Sequence, residues 1–376
     1  MAQVTSSSTS LAAFFQNIVP LGIMSAIPIA QLSRPKGVDF KCEITGAPAT
    51  LRCSECPVYF DTQEHFDVWW RGIGHSIARD LVVLRQPAKM IGSEEDRTKR
   101  EDELSAIRKE LLELCTETAQ KFLVQGKYEL AVPGALQALK FAIEIHGKEA
   151  VELVAAYLLL AEANLGLRRL KIAEEFLSLA NWNILKHPGS SMMSHLQRNF
   201  GRLYAAQQRY NEALNAFATD IYYSSQEFGP ENIRSAPSYF HMGRVFQSHQ
   251  KLDRAAAFYV KVVEIYAAFL EAWMNHVEGL GEETQELGAV EIEEAIEIIK
   301  HIVEHREKRS AGTSETAECR YTLGLFFMYM GDSTNARECH NSALDVFLRT
   351  LGVAHARTQK CKRYLERLNG TDWGDT

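Results

Sequence analysis

The chain has 376 residues, 46% hydrophobic, 24% charged and 10% aromatic, the make-up of a globular protein and not of a disordered or collagen-like one. Forty-one Lys and Arg against 48 Asp and Glu give a formal net charge of −7, which argues against a nucleic-acid binder held by phosphate contacts. Seven cysteines, an odd number in a chain too long to need disulfides for a core, point to a reducing compartment and a local metal site.

Residues 1–36 come first and read as an apolar or disordered tail. Leu11 to Leu32 is mostly apolar, but Gln16, Asn17, Pro20 and Pro28 interrupt it and no Lys or Arg precedes it. It meets neither the signal-peptide pattern nor the roughly 20 uninterrupted apolar residues of a membrane span, so no membrane partner is expected.

Residues 37–90 hold the cysteine cluster. Four pairs follow one another: Cys42 and Thr45, Cys53 and Cys56, Asp61 and His65, His75 and Arg79. Tyr59 and Phe60 precede the third pair, and Trp70 the fourth. A C-x2-C turn holds a metal because its two thiolates converge on one point. This order resembles the MYND-type zinc finger, whose ligand pairs interleave over two zinc ions. Carried over position by position, the resemblance implies a first site of Cys42, Asp61 and His65 and a second of Cys53, Cys56 and His75. Asp61 and His65 stand where that family has two cysteines. Thr45 and Arg79 occupy the remaining ligand positions, and the Trp70-to-His75 interval is longer than the family's. Each set is therefore one short of the four ligands of a structural zinc. Two alternatives follow. Either one zinc survives, at Cys53, Cys56 and His75, or the module folds without metal around Tyr59, Phe60, Trp69 and Trp70.

From about residue 105 to 370 the chain is helical and periodic. Small residues recur at intervals of twelve and then seven: Ala119, Ala131 and Ala138; Ala161, Ala173 and Ala180; Gly201, Ala213 and Asp220; Gly243, Ala255 and Val262; Gly324, Ala336 and Ala343. With Ala295, the second-helix alanines stand at 131, 173, 213, 255, 295 and 336, spaced by 42, 40, 42, 40 and 41. Two antiparallel helices approach closely only where side chains are small, so this period predicts a mainly α solenoid of about six helical hairpins. Tyr204, Tyr210, Phe217, Tyr239, Phe246 and Tyr259 fill the space between. The pattern is that of tetratricopeptide repeats with a lengthened period. Links such as Phe228–Gly229–Pro230–Glu231 and Leu351–Gly352–Val353–Ala354–His355 resemble those of kinesin-light-chain repeats. A distorted first helix is expected in the fifth unit, around Glu271–Gly288. Pro133 and Gly134 are expected to interrupt a helix, and Ala354 to Leu368 to cap the array.

In tetratricopeptide arrays the first helices line a concave groove. Its positions project onto His195, Arg198 and Arg202 in the third unit and onto Phe240 and Arg244 in the fourth. In an acidic protein this is a local basic groove suited to an acidic peptide or helix; the alternative is that the arginines are solvated or paired with glutamates. Residues 278–299 carry eight glutamates and no Lys or Arg, read first as a solvated acidic face and second as a lure for a basic partner.

No P-loop, G-x-S-x-G, H-E-x-x-H or Rossmann fingerprint is present, so the chain reads as non-enzymatic. One methyltransferase family joins MYND fingers to a SET domain, which needs on the order of 130 residues of its own. The short interval between finger and repeats leaves no room for one. A MYND-like finger followed directly by long-period repeats, with the stretches Val151 to Asn164 and Ala218 to Ser224, resembles a MYND–tetratricopeptide family of the cilium and sperm-flagellum axoneme. That resemblance implies a scaffold in the axoneme and cytoplasm that docks inner dynein arm components. Its partners would be an inner dynein arm heavy chain and another tetratricopeptide protein, with one zinc ion or none and no nucleic acid. The alternative is a cytosolic or nuclear MYND/tetratricopeptide adaptor that binds peptide motifs.

Overall fold

The computed structural model describes residues 25–30, 39–86, 93–187, 192–229, 231–281, 286–309 and 312–370. Expectations that rest on residues 1–24 and 31–36, on Pro230 and on residues 282–285 lie outside the described residues. By its internal contacts the chain divides into two units, Met1–Arg97 and Thr98–Thr376.

The first unit carries a three-stranded antiparallel sheet in the order β1 (Ala26–Pro28), β2 (Leu51–Cys53), β3 (Tyr59–Phe60). Ala26 pairs with Cys53, and Leu51 with Phe60. The strand β1 falls inside the segment read as a tail. Three residues are too few for an alternating pattern to show, and Pro28, which lacks a ladder donor, is at home on an edge strand. Helix α1 (Gln63–Trp69) follows, capped by Thr62, whose hydroxyl accepts from the His65 N–H at 3.2 Å. A π-helical turn, Trp70–Gly74, then leads into α2 (His75–Leu84). That turn takes up the long Trp70-to-His75 interval, as π-turns absorb an added residue within a helix. Val58, Phe60, Phe66, Trp69, Ile73, Ile77 and Leu81 form the core, with the Phe60 ring 5.4 Å from both Phe66 and Trp69. A Cβ at Gly74 would lie 2.4 Å from the Trp69 indole, so only glycine admits that packing.

The second unit is a row of helical hairpins. They are α3 (Glu94–Val124) with α4 (Tyr128–His146), α5 (Leu153–Gly166) with α6 (Leu170–Lys186), α7 (Met193–Ala206) with α8 (Tyr210–Phe228), and α9 (Ala236–Ser248) with α10 (Leu252–Val277). After the lone helix α11 (Ala289–Arg309) come the hairpin of α12 (Ser314–Tyr329) with α13 (Ser333–Thr350) and the capping helix α14 (Ala356–Gly370). Helix α4 runs unbroken through Pro133, and Gly134 lets it approach the Cys115 carbonyl of α3.

Ala131, Ala173, Ala213, Ala255 and Ala336 are fully buried at the hairpin crossings. A second rule lies beneath the first. Where the first helix carries glycine, the second carries a ring sixteen residues on: a Cβ would meet Phe217 at 2.5 Å from Gly201, Tyr259 at 2.6 Å from Gly243 and His340 at 2.9 Å from Gly324. Where the first helix carries Ala161 or Ala119, the same interval brings Leu177 or Ala135. The turns repeat as well. Gly126, Arg168, Gln208, Gln250 and Gly331 each hold a positive φ between 57° and 77°, the left-handed residue that ends a helix.

The fifth unit is not a hairpin. Helix α10 extends to 26 residues and packs directly on α12, with Tyr266 and Phe326 rings 5.4 Å apart and Trp273 and Tyr329 rings 4.6 Å apart. Five hairpins are therefore present among the described residues, and the expected sixth is reduced to α11. The physical reason is that Trp273 and Met274 continue the apolar face of α10, so the chain gains more by extending that helix than by turning at Glu271. No helix among the described residues is long and apolar enough to cross a membrane.

Candidate metal site and partner-binding groove

Of the two donor sets projected onto the finger, the structure gathers one. The ligand atoms of Cys42, Asp61 and His65 lie within 4.8 Å of one another. The turn before β2 supplies Cys42, the end of β3 supplies Asp61, and the first turn of α1 supplies His65. His65 Nδ1 stands 2.5 Å from an Asp61 oxygen, while the Thr45 hydroxyl donates to the other oxygen at 2.9 Å. Against the opposing effect of burial, hydrogen bonds from His65, Cys42 and Thr45 hold the Asp61 carboxyl well below the usual carboxylate range. One thiol, one imidazole and one carboxylate are suitable zinc donors, and three of them leave the fourth position for water.

Among the described residues the ligand atoms of Cys53, Cys56 and His75, the set expected to keep a zinc, do not gather in this way. His75 begins α2 on the exposed side, with Nδ1 3.1 Å from the Trp70 carbonyl oxygen and its ring against Trp70. The two cysteines are buried and hydrogen-bonded to each other. That bond pushes Cys53 down to about 6 and Cys56 up. The charge of Arg85 only partly opposes the rise at Cys56, and that guanidinium also donates to the Pro57 carbonyl and reaches Glu43 at 3.5 Å.

The projected groove residues divide in the same manner. His195, Arg198 and Arg202 fall three and four residues apart and so share one face of α7. Arg198 is buried, and its Nε donates to Asp220 at 2.9 Å while Nη2 donates to the Arg234 carbonyl at 2.7 Å. Asp220 is fully buried, at the position filled by Ala138, Ala180, Val262 and Ala343 elsewhere, and also accepts from the hydroxyls of Ser194 and Ser238. A buried carboxylate survives only with such partners. Arg198 thus ties α7, α8 and the turn before α9 together and is not a free groove cation. Arg202 is paired with Glu162 of α5. Phe240 is buried against the rings of Tyr259 and His301, and Arg244 lies exposed over it at 5.9 Å. His195 has its edge in solvent, yet desolvation by the surrounding helices and the Arg198 charge push it down to about 4.

Sequence reasoning missed the largest feature of this face. Helix α11 lies on it, packed along α12 and against α9. Its Glu294 stands in the field of Arg198 and Arg202, and burial raises the Glu294 pKa. The signal was present in the doubled interval from Ala255 to Ala336, across which the stack advances by one hairpin. The acidic run around it has a mixed fate: Glu278 is paired with Arg367 at 2.7 Å and Arg363 at 3.5 Å, holding the cap α14, while Glu291 and Glu297 are exposed. On the opposite side, α6 exposes Ile172, Leu179, Trp182 and Leu185.

The hairpin geometry and the crossing positions have a match among known families: the tetratricopeptide repeat model fits residues 192–268. Residues 192–268 carry tetratricopeptide repeats. Such repeats make a protein-interaction scaffold. Solved structures with similar arrays include the nearly identical TPR-like repeats of a Podosopora anserina kinesin light chain, at 16% identity over 64% of this chain and 96% of that one, with a TM-score of 0.34. The apo form of RapI is similar at 14% identity over 69% and 71%, TM-score 0.37. BtubC from P. vanneervenii is similar at 12% identity over 70% and 93%, TM-score 0.37.

Proposed function

We propose that this protein is a non-enzymatic scaffold of the ciliary or flagellar axoneme, which docks inner dynein arm components through the inner face of its tetratricopeptide array. The observation that carries the docking claim is the inner face itself. Its basic residues stand in a protein of net charge −7, and it already accommodates an acidic helix. The axonemal assignment rests on the pairing of a MYND-like finger with long-period repeats. An inner dynein arm heavy chain and a second tetratricopeptide protein are the partners this assignment implies. Zinc belongs to the same reading as one ion held by Cys42, Asp61 and His65, where it would tie the sheet to α1; purified full-length protein should then contain one zinc per chain, lost on Cys42→Ala.

Fluorescence of the tagged full-length protein in motile ciliated cells tests the assignment. Signal along the axoneme that survives detergent extraction is expected. A diffuse cytosolic or nuclear pattern would instead favour an adaptor for peptide motifs.

A further inference from the structure

Helix α11 shares the core of α10 and α12 and packs along α12, yet it belongs to no hairpin. The solenoid passes from α10 to α12 through Tyr266–Phe326, Trp273–Tyr329 and a 2.9 Å hydrogen bond from the Tyr321 hydroxyl to Glu271, with no need of an intervening helix. What α11 covers instead is the inner face. His301 sits edge-on to Phe240 of α9 and His305 to Tyr259 of α10, each with ring centroids 5.3 Å apart. Further along, Glu294 faces the charges of Arg198 and Arg202 on α7 and of Glu162 on α5. Ile292, Ile296, Ile299 and Ile302 are buried beneath it.

The fit is incomplete. Nδ1 of His301, Nδ1 of His305 and one Arg306 nitrogen are buried without a partner among the described residues, while the other terminal Arg306 nitrogen donates to the Glu315 carbonyl of α12 at 2.6 Å. Glu294 faces two arginines but makes a close ion pair with neither, because Asp220 and Glu162 hold them. Buried polar groups left unpaired weaken an interface, and a tethered helix is retained chiefly by its high effective concentration. Between Glu278, paired with Arg363 and Arg367, and Leu287, whose N–H donates to the Tyr329 hydroxyl at 3.0 Å, the connection to α10 has a contour of roughly 27 Å. The helix can therefore leave the groove while α10 and α12 stay stacked.

We propose that the inner face is a helix-binding groove which the chain closes on itself with α11, and that its partner is an acidic amphipathic helix of the same kind, bound by displacing α11. The proposal deepens the scaffold reading and rests on it. An acidic apolar helix is the occupant because α11 shows what the face accepts: isoleucines spaced along one side and the Glu294 carboxylate toward Arg198 and Arg202.

The test uses a fluorescein-labelled peptide of residues 289–309 titrated into the full-length protein. Wild type should bind it weakly, and the Ile296→Ser, Ile299→Ser variant at least tenfold more tightly. A peptide carrying Gln at 294 should lose at least fivefold on that variant. Unchanged affinity in a variant with wild-type circular dichroism would overturn the proposal. Dimerisation of the variant without any gain for the peptide would overturn the partner assignment, since the occupant would then be a second copy. If the variant does not fold, hydrogen exchange on wild type decides. Amides of α11 exchanging at least tenfold faster than those of α9, α10 and α12 support displacement; exchange in step with them refutes it. A locked α11 would leave axonemal localisation as it is, so the two readings fail separately.

Discussion

Gly201 and Phe217 occupy one crossing point, and the sixteen-residue rule says that neither can change alone. Gly201→Ala puts a methyl 2.5 Å from the Phe217 ring and should destabilise by about 1–3 kcal/mol in chemical denaturation, even though alanine favours a helix. Adding Phe217→Leu recreates the Ala161–Leu177 pair and should recover most of that loss, which a double-mutant cycle measures. His340 fills the equivalent site in the last hairpin, between the rings of Tyr321 and Tyr364, with Nε2 lacking a partner among the described residues and Nδ1 3.8 Å from the Cys361 sulfur. Burial pushes it from 6.5 down to about 4, so the unfolded chain takes up a proton in that interval and the folded chain does not. The stability carried by the neutral ring is complete above about pH 6.5 and is lost as the pH falls toward 4, by about 2 kcal/mol at pH 5. His340→Phe, which copies the ring of Phe217, should fold and remove that share of the acid sensitivity. An unchanged pH dependence of unfolding would show that the site is open to water.

Helices and strands differ in how plainly they were written. The five hairpins were legible because each crossing demands Ala or Gly, and Gly201, Ala213, Gly243 and Ala255 recur whatever surrounds them. The fifth unit was expected to be distorted, but not how, because Ala295 keeps the period while serving another surface: it is buried in α11, on the inner face. Spacing encodes what a helix buries but not which side of the stack it is buried against. The strand β1 left no signal, since its pairing with β2 is made by backbone groups that every residue carries. Site residues followed the same logic. The Cys42–Asp61–His65 set was legible only through the resemblance to the MYND-type finger, whereas the separation of His75 from the cysteine pair depends on a π-turn, and Arg85 lies far along the chain from the cysteines it faces. Arg198 was recognised as basic and inner-facing. Its capture by Asp220 was not, because the meaning of an acid at a small-residue position appears only once Ser194, Ser238 and Arg198 converge on it.

For the whole molecule, the inner face is where charge, exposure and the repeat geometry meet, and most of its arginines already serve the fold. Replacing Arg198 would strand the buried Asp220 carboxylate and damage the stack, so partner loss in that variant says nothing about recognition. Arg244 and His195 are the informative positions, being exposed on that face without holding the hairpins together. Partner recovery is the most direct measurement: full-length wild-type protein and the Arg244→Glu, His195→Glu variant, each used to capture proteins from ciliary extract and quantified by mass spectrometry. The account predicts that an inner dynein arm heavy chain is recovered with wild type and falls at least fivefold with the variant, while the circular dichroism of the two proteins agrees. Equal recovery of every captured protein by both would contradict it.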